Sequence, residues 1–173
     1  SAITKSPVSG GYECSYTPTE ALGDGQHTIK VDASDNDGNA ATQKTVTFKV
    51  DTIPPTLSVT APADDSVTNN SSCTVSGTTN DTTSSPVTVT VKLNNGAAEE
   101  VEVAENGFFT KQLTLAAGAN TITVVATDAA GKSTTVTRTV TLDTGAPVIH
   151  SVSITPNPVD AGQTYVISVE VTD

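Results

Sequence analysis

From residue 51 to residue 143, apolar and polar residues alternate with a period of two, in short runs broken by turn residues, as half-buried strands require. Residues 57–59, 72–76, 87–93, 100–103, 108–115, 121–126 and 134–142 each read as a strand, here lettered A to G in that order. Asn94-Asn95-Gly96 and Asn106-Gly107 supply the left-handed backbone that tight hairpins demand. No segment shows an apolar period of 3.6, so helices are not expected. Short strands with turn signals between them predict an all-β chain: an antiparallel sandwich with Val, Ile and Leu on the inner face of each strand.

The same pattern occurs more than once. The block from Leu22 to Gly38 lies without gaps on the block from Leu115 to Gly131, sharing Leu, Gly, Thr-Ile, Val, Ala, Asp and Gly at identical spacing. A second marker, Asp51-Thr52-Ile53-Pro54-Pro55, returns as Asp143-Thr144-Gly145-Ala146-Pro147, an interval of about 92 residues and the size of one sandwich. Residues 51–143 therefore read as one complete domain. Residues 1–50 hold strands at 12–18, 27–34 and 44–50, which correspond to E, F and G. Residues 144–173 hold strands at 148–155 and 165–172, which correspond to A and B. The expectation is a complete central domain between the back half of one domain and the front half of another.

The residues Pro54-Pro55-Thr56-Leu57-Ser58-Val59, Val75-Ser76-Gly77-Thr78, Asn120-Thr121-Ile122-Thr123-Val124 and the closing Asp143-Thr144 resemble the bacterial Ig-like repeats of large surface proteins, in particular the glucodextranase B-type module. The segment from Tyr16 through Leu22 to His27-Thr28 is similar to a related Ig-like repeat. The resemblance implies tandem immunoglobulin-like sandwiches, an extracellular or cell-surface location, no enzymatic activity, and service as a stalk, fibre or adhesin shaft. Neighbouring Ig-like domains or identical subunits are the implied partners. It also implies that a junctional aspartate, Asp51 or Asp143, can take part in binding Ca²⁺ between domains.

Composition narrows the alternatives. There is no Trp, and aromatic residues are 3% of the chain, which removes the stacking platforms of carbohydrate and nucleic-acid sites. A net charge of −11 opposes binding to phosphate backbones or anionic membranes. No apolar run is long enough to cross a bilayer, and residues 1–7 do not read as a signal peptide, so an export signal or anchor is expected outside this sequence. Cys14 and Cys73 both alternate with apolar neighbours, and two buried free thiols are expected.

No nucleophile elbow, zinc motif or phosphate loop is present, and no catalytic residue is assigned. His27 opens a strand where the next repeat has Asn120, which favours a structural role. The acidic loop containing Asp32, Asp35 and Asp37 carries two readings. Clustered carboxylates on a tight turn suit Ca²⁺, the one cofactor candidate. Alternatively Asp35 caps its own hairpin turn and Gly38 takes positive φ, as Asp128 and Gly131 do one repeat later. The junctions, Asp51 with Pro54 and Pro55 and Asp143 with Pro147, are short and proline-stiffened, which predicts modules held in line. The strand sets at the two ends carry two readings, a window on a longer repeat array, which is favoured, and head-to-tail assembly by strand complementation.

Overall fold

A computed structural model describes residues 3–173. It contains strands and turns and, among the described residues, no helix. The first ladder joins β1 (Thr4–Val8) to β2 (Gly11–Ser15), and the second joins β3 (Gly25–Val31) to β4 (Lys44–Val50). β1 is an addition to the sequence reading, which placed no strand there because Lys5, Ser6 and Pro7 interrupt the apolar alternation.

The central module is a two-sheet sandwich. One sheet orders β5 (Thr56–Ala61), β7 (Ser72–Asn80) and β10 (Phe108–Thr114) with β7 in the middle. The other orders β6 (Ser66–Thr68), β12 (Ser133–Leu142), β11 (Gly118–Thr127), β8 (Thr88–Leu93) and β9 (Glu99–Val101). The last ladder pairs β13 (Val148–Thr155) with β14 (Val166–Thr172).

Six of these eight central strands run antiparallel to every neighbour, as alternation predicts. The pairing of β6 with β12 is parallel, with Ser66 opposite Val140 and Thr68 opposite Leu142. It arises because the first strand leaves its sheet: the register of β5 on β7 slips between Val59 and Ala61, and the chain crosses to the opposite sheet. Two side chains of the crossover region hold it there. Asp64 Oδ1 accepts from the Thr139 amide at 2.8 Å, and Arg138 Nη2 donates to the Val59 carbonyl at 3.1 Å.

The core follows the period of two. Cys73 and Val75, Val89 and Val91, Ile122, Val124 and Ala126, and Val140 and Leu142 are all buried, and Val59, Val101 and Leu115 complete the cluster. Its single aromatic, Phe109, is 1% exposed and lies against Gly77. A Cβ at Gly77 would run into the Phe109 ring and the Ser58 carbonyl, so glycine here makes room for the ring between sheets.

Asn120, fully buried, ties the turn between β10 and β11. Its Nδ2 donates to the carbonyls of Ala116 at 2.7 Å and Gly118 at 2.9 Å, while Oδ1 accepts from the Ala116 amide at 2.9 Å and Asn94 Nδ2 at 3.1 Å. Burial without those partners would cost on the order of 1–3 kcal/mol for each orphaned group.

Candidate functional site

Three loops converge where the chain enters the central module. Asp51 opens the linker after β4, Asp81 follows β7, and Asp128 follows β11. Each holds its local turn with one carboxylate oxygen, the Asx geometry that lets a short acid satisfy nearby amides. Asp51 Oδ1 accepts from Ile53 N at 3.1 Å. Asp81 Oδ1 accepts from Thr83 N at 2.8 Å and Ser84 N at 2.7 Å. Asp128 Oδ1 accepts from Ala130 N at 2.8 Å and Lys132 N at 2.9 Å. The two module loops are also bonded to each other, Ala129 N to the Ser84 carbonyl at 3.2 Å.

The second oxygens are the unusual feature. Oδ2 of Asp51 and Oδ2 of Asp128 are sealed from solvent with no hydrogen-bond partner, and the two residues are 9% and 6% exposed. One carboxylate oxygen from each of Asp51, Asp81 and Asp128 lies within 4.8 Å of the others. Among the described residues the one salt bridge is Lys111 to Glu99, on the far side chains of β10 and β9, so no basic group neutralises the cluster. Like charges this close repel by roughly 3–4 kcal/mol per pair at an effective dielectric of about 20.

The linker is held from both sides. Asp24, between β2 and β3, accepts from Thr52 N at 2.8 Å through Oδ1 and from Thr52 Oγ1 at 3.0 Å through Oδ2. Lys49 Nζ of β4 donates to the Thr83 carbonyl at 3.2 Å, reaching the loop that carries Asp81. Pro55 is fully buried, and its carbonyl accepts from Thr134 Oγ1 at 2.6 Å, whereas Pro54 is exposed. At the second junction Asp143 repeats the Asp51 turn, its Oδ1 accepting from Gly145 N at 2.8 Å; Asp143 and Pro147 are both exposed.

The acidic loop is built differently from the junction cluster. Asp35 Oδ1 accepts from the amides of Asp37 at 3.0 Å and Asn39 at 2.8 Å, and Oδ2 accepts from Asn39 Nδ2 at 2.7 Å. The Asn39 side-chain bond, ahead of its backbone bond, holds the Asp35 carboxyl below the usual value. Asp32 Oδ1 accepts from Gln43 Nε2 at 2.8 Å. Asp32, Asp35 and Asp37 therefore do not share the mutual reach of Asp51, Asp81 and Asp128. Gly38 and Gly131 have φ of 88° and 83°, and both loops close the same turn, Asp35 N to Asn39 O and Asp128 N to Lys132 O at 3.0 Å.

Of the cluster, the sequence reading singled out Asp51 alone. Asp128 was visible only as the turn partner of Asp35, and Asp81 went unnoticed because Asn80-Asp81-Thr82 reads as an ordinary strand end. One signal was available: Asp81 recurs as Asp173 at the same interval that separates Asp51 from Asp143. His27 is structural here. Its Nε2 bonds the Gly23 carbonyl at 2.7 Å, the same tie that Asn120 makes to Ala116, and its ring stacks on Phe48 with centroids 5.5 Å apart. Cys73 is buried, which pushes its thiol pKa up, but Cys14 is exposed, contrary to expectation, because among the described residues no second sheet covers β2.

These strands, their sheet order and the repeated junction define a tandem array of immunoglobulin-like β-sandwiches. The sequence profile described as glucodextranase, domain B, matches residues 55–144, more than half of the chain, and the chain belongs to that family. A second profile, described as a bacterial Ig-like domain, matches residues 3–52. No curated protein sequence matches the chain. Similar solved structures include fibronectin(III)-like modules of CbhA from Clostridium thermocellum, at 19% identity and a TM-score of 0.46 over 70% of this chain and 64% of that one. A tetra-tandem repeat from the extending region of a large adhesion protein matches at 19% identity and 0.44, over 97% and 54%. An engineered protein matches at 22% and 0.42, over 51% and 20%. The chain thus spans less than two thirds of each of these proteins.

Proposed function

We propose that this chain is a non-catalytic structural segment, a stalk or fibre shaft, of an exported bacterial cell-surface protein. The observation that carries the reading is the junction: a short linker bonded to the unit before it through Asp24 and Thr52, and to the module after it through Pro55, whose carbonyl accepts from Thr134. A linker anchored at both ends transmits direction from one unit to the next, which a spacer needs and a solitary binding domain does not. The family membership and the bacterial Ig-like match support an extracellular setting. Small-angle scattering of the chain should give an extended particle whose length is insensitive to added glycans; a compact particle, or saturable glycan binding, removes the reading. The rival role, an accessory domain of a secreted glycoside hydrolase, draws support from the family's name and would be established by a catalytic domain in the same polypeptide.

The two flanks point to how such segments continue. We read residues 1–50 and 144–173 as complementary halves of sandwiches, each covered by strands of a neighbouring repeat, whether of the same polypeptide or of a second copy. Ile29, Val31 and Val46 on one flank and Val152, Ile154 and Val169 on the other are exposed, an apolar surface of the kind that marks an interaction site. Head-to-tail complementation predicts concentration-dependent polymers in which Cys14, lining the hollow with Tyr16, Ile29 and Val31, loses its reactivity toward a thiol reagent. Polymers that persist after deletion of residues 148–173 would sink it.

A further inference from the structure

We propose that the N-terminal flank is completed by a strand set unlike this chain's own C-terminal flank: a strand along β2 with glycine opposite Tyr12 and no acid beside Glu13, and a valine-bearing strand along β3. This rests on the reading of both flanks as half sandwiches and chooses between the two sources which that reading leaves open. The central module contains the intact joint. There β7 pairs with β10, and Gly77 stands opposite Phe109. A Cβ on Gly77 would come within 2.6 Å of the Phe109 ring, so the ring fills the space that glycine leaves. Tyr12 holds the place of Phe109 in the first ladder. Each lies two residues past a glycine of positive φ, Gly10 at 86° and Gly107 at 80°, and each faces the strand before its turn, Tyr12 opposite Pro7 and Phe109 opposite Val103. Tyr12 is 62% exposed, and among the described residues no strand lies on the other edge of β2.

In the C-terminal flank β14 holds the place of β7. The ladder of β13 and β14 opens with Val148 opposite Thr172, as that of β5 and β7 opens with Thr56 opposite Asn80, which puts Val169 at the position of Gly77. Laid on β2 in the register of β7 on β10, β14 sets Val169 against Tyr12, and the branched side chain occupies the space the ring needs. Charge opposes the same pairing. Glu170 would lie diagonally beside Glu13 on the outer face, where the central module has Thr78 and Thr110, and like charges at neighbouring cross-strand positions destabilise a ladder.

A second copy would also leave a gap in the other sheet. β11 is paired on both edges, with β12 and with β8, and Val89 and Val91 of β8 are buried in the core. β3 stands where β11 stands and is paired on one edge only, with β4. The C-terminal flank holds β13 and β14, the counterparts of β5 and β7, and among the described residues it has no counterpart of β8. Two ends of this chain brought together therefore lack the strand that supplies Val89 and Val91, and the edge of β3 stays open. Strands like β5, β7 and β8 fit the flank on every count.

The test extends the full chain at its N-terminus, either with a second copy of residues 55–96, its Cys73 changed to Ala, or with a second copy of residues 147–173. Modification of the exposed Cys14 by a thiol reagent reports whether β2 is covered, since the chain's own Cys73 is buried. The first extension should slow the modification about tenfold or more, and the second should leave it within about twofold of the unextended chain, which should sediment as a monomer. Gly77→Val in the added copy should restore the fast rate. Thr78→Glu in the added copy, at an exposed position that leaves its folding intact, should weaken the protection about twofold, and Glu13→Gln should bring it back. Equal protection by the two extensions, polymers of the unextended chain that vanish on deletion of residues 148–173, or protection indifferent to both Gly77→Val and Thr78→Glu would overturn the assignment and keep the half-sandwich reading. A Cys14 left reactive by both extensions would overturn that reading and the assignment with it.

Discussion

The central module and its flanks are made of the same sequence pattern and reach opposite outcomes. Ile122 and Val124 of β11 are fully buried, while Ile29 and Val31, their counterparts in β3, are about half exposed. Both strands belong to regular ladders, and both pair with the following strand residue for residue. The difference is a second sheet: β5, β7 and β10 cover β11, and among the described residues no such sheet covers β3. Alternation makes a strand; burial requires a partner face.

Core truncations test this most directly. Ile122→Ala should cost about 2–5 kcal/mol and Phe109→Ala about 3–5 kcal/mol in chemical denaturation of the chain, through lost burial and the cavity left behind. Val169→Ala should stay within about 0.5 kcal/mol. A large loss at Val169 would mean that the flank is covered in solution, and would favour complementation.

The corner ties give a smaller contrast. Asn120→Ala orphans the amide and carbonyl groups it serves inside the fold and should cost about 2 kcal/mol or more. His27→Ala removes a comparable bond in an exposed setting, and its cost should stay under about 1 kcal/mol by the same denaturation assay. Equal costs would show that the first corner is as buried as the second.

The smallest effect concerns pH. The Asp35 carboxyl titrates below its ordinary value because Asn39 bonds its charged form, so its contribution to stability is present above the ordinary carboxylate range and is lost as pH falls through the lowered value. Asn39→Ala should move the Asp35 titration, followed by NMR, back toward the ordinary value. A titration unmoved by the substitution would remove the Asn39 bond as the cause.

What could be read from the sequence was whatever depends on local periodicity. Alternation located the strands of the central module to within a few residues, and the turn residues located the hairpins, with Asn94 at φ 51° and Gly107 at φ 80°. It missed β6, which is three residues long and owes its place to the crossover bonds of Asp64 and Arg138 rather than to any pattern of its own. The exposure of Cys14 was equally hidden, since a strand's alternation marks an inner face without saying whether anything packs against it.

The sequence by itself determined the repeat, most of the strands and the turn-forming role of Asp35 and Asp128, because local pattern carries all of these. Only the tertiary structure decided that Asp51, Asp81 and Asp128 meet, and that two of their oxygens are closed off from water. Their convergence depends on the way the two sheets stack and bring three loops to one end of the sandwich, and the free oxygen of Asp128 depends on having Lys132 in place of an amide cap.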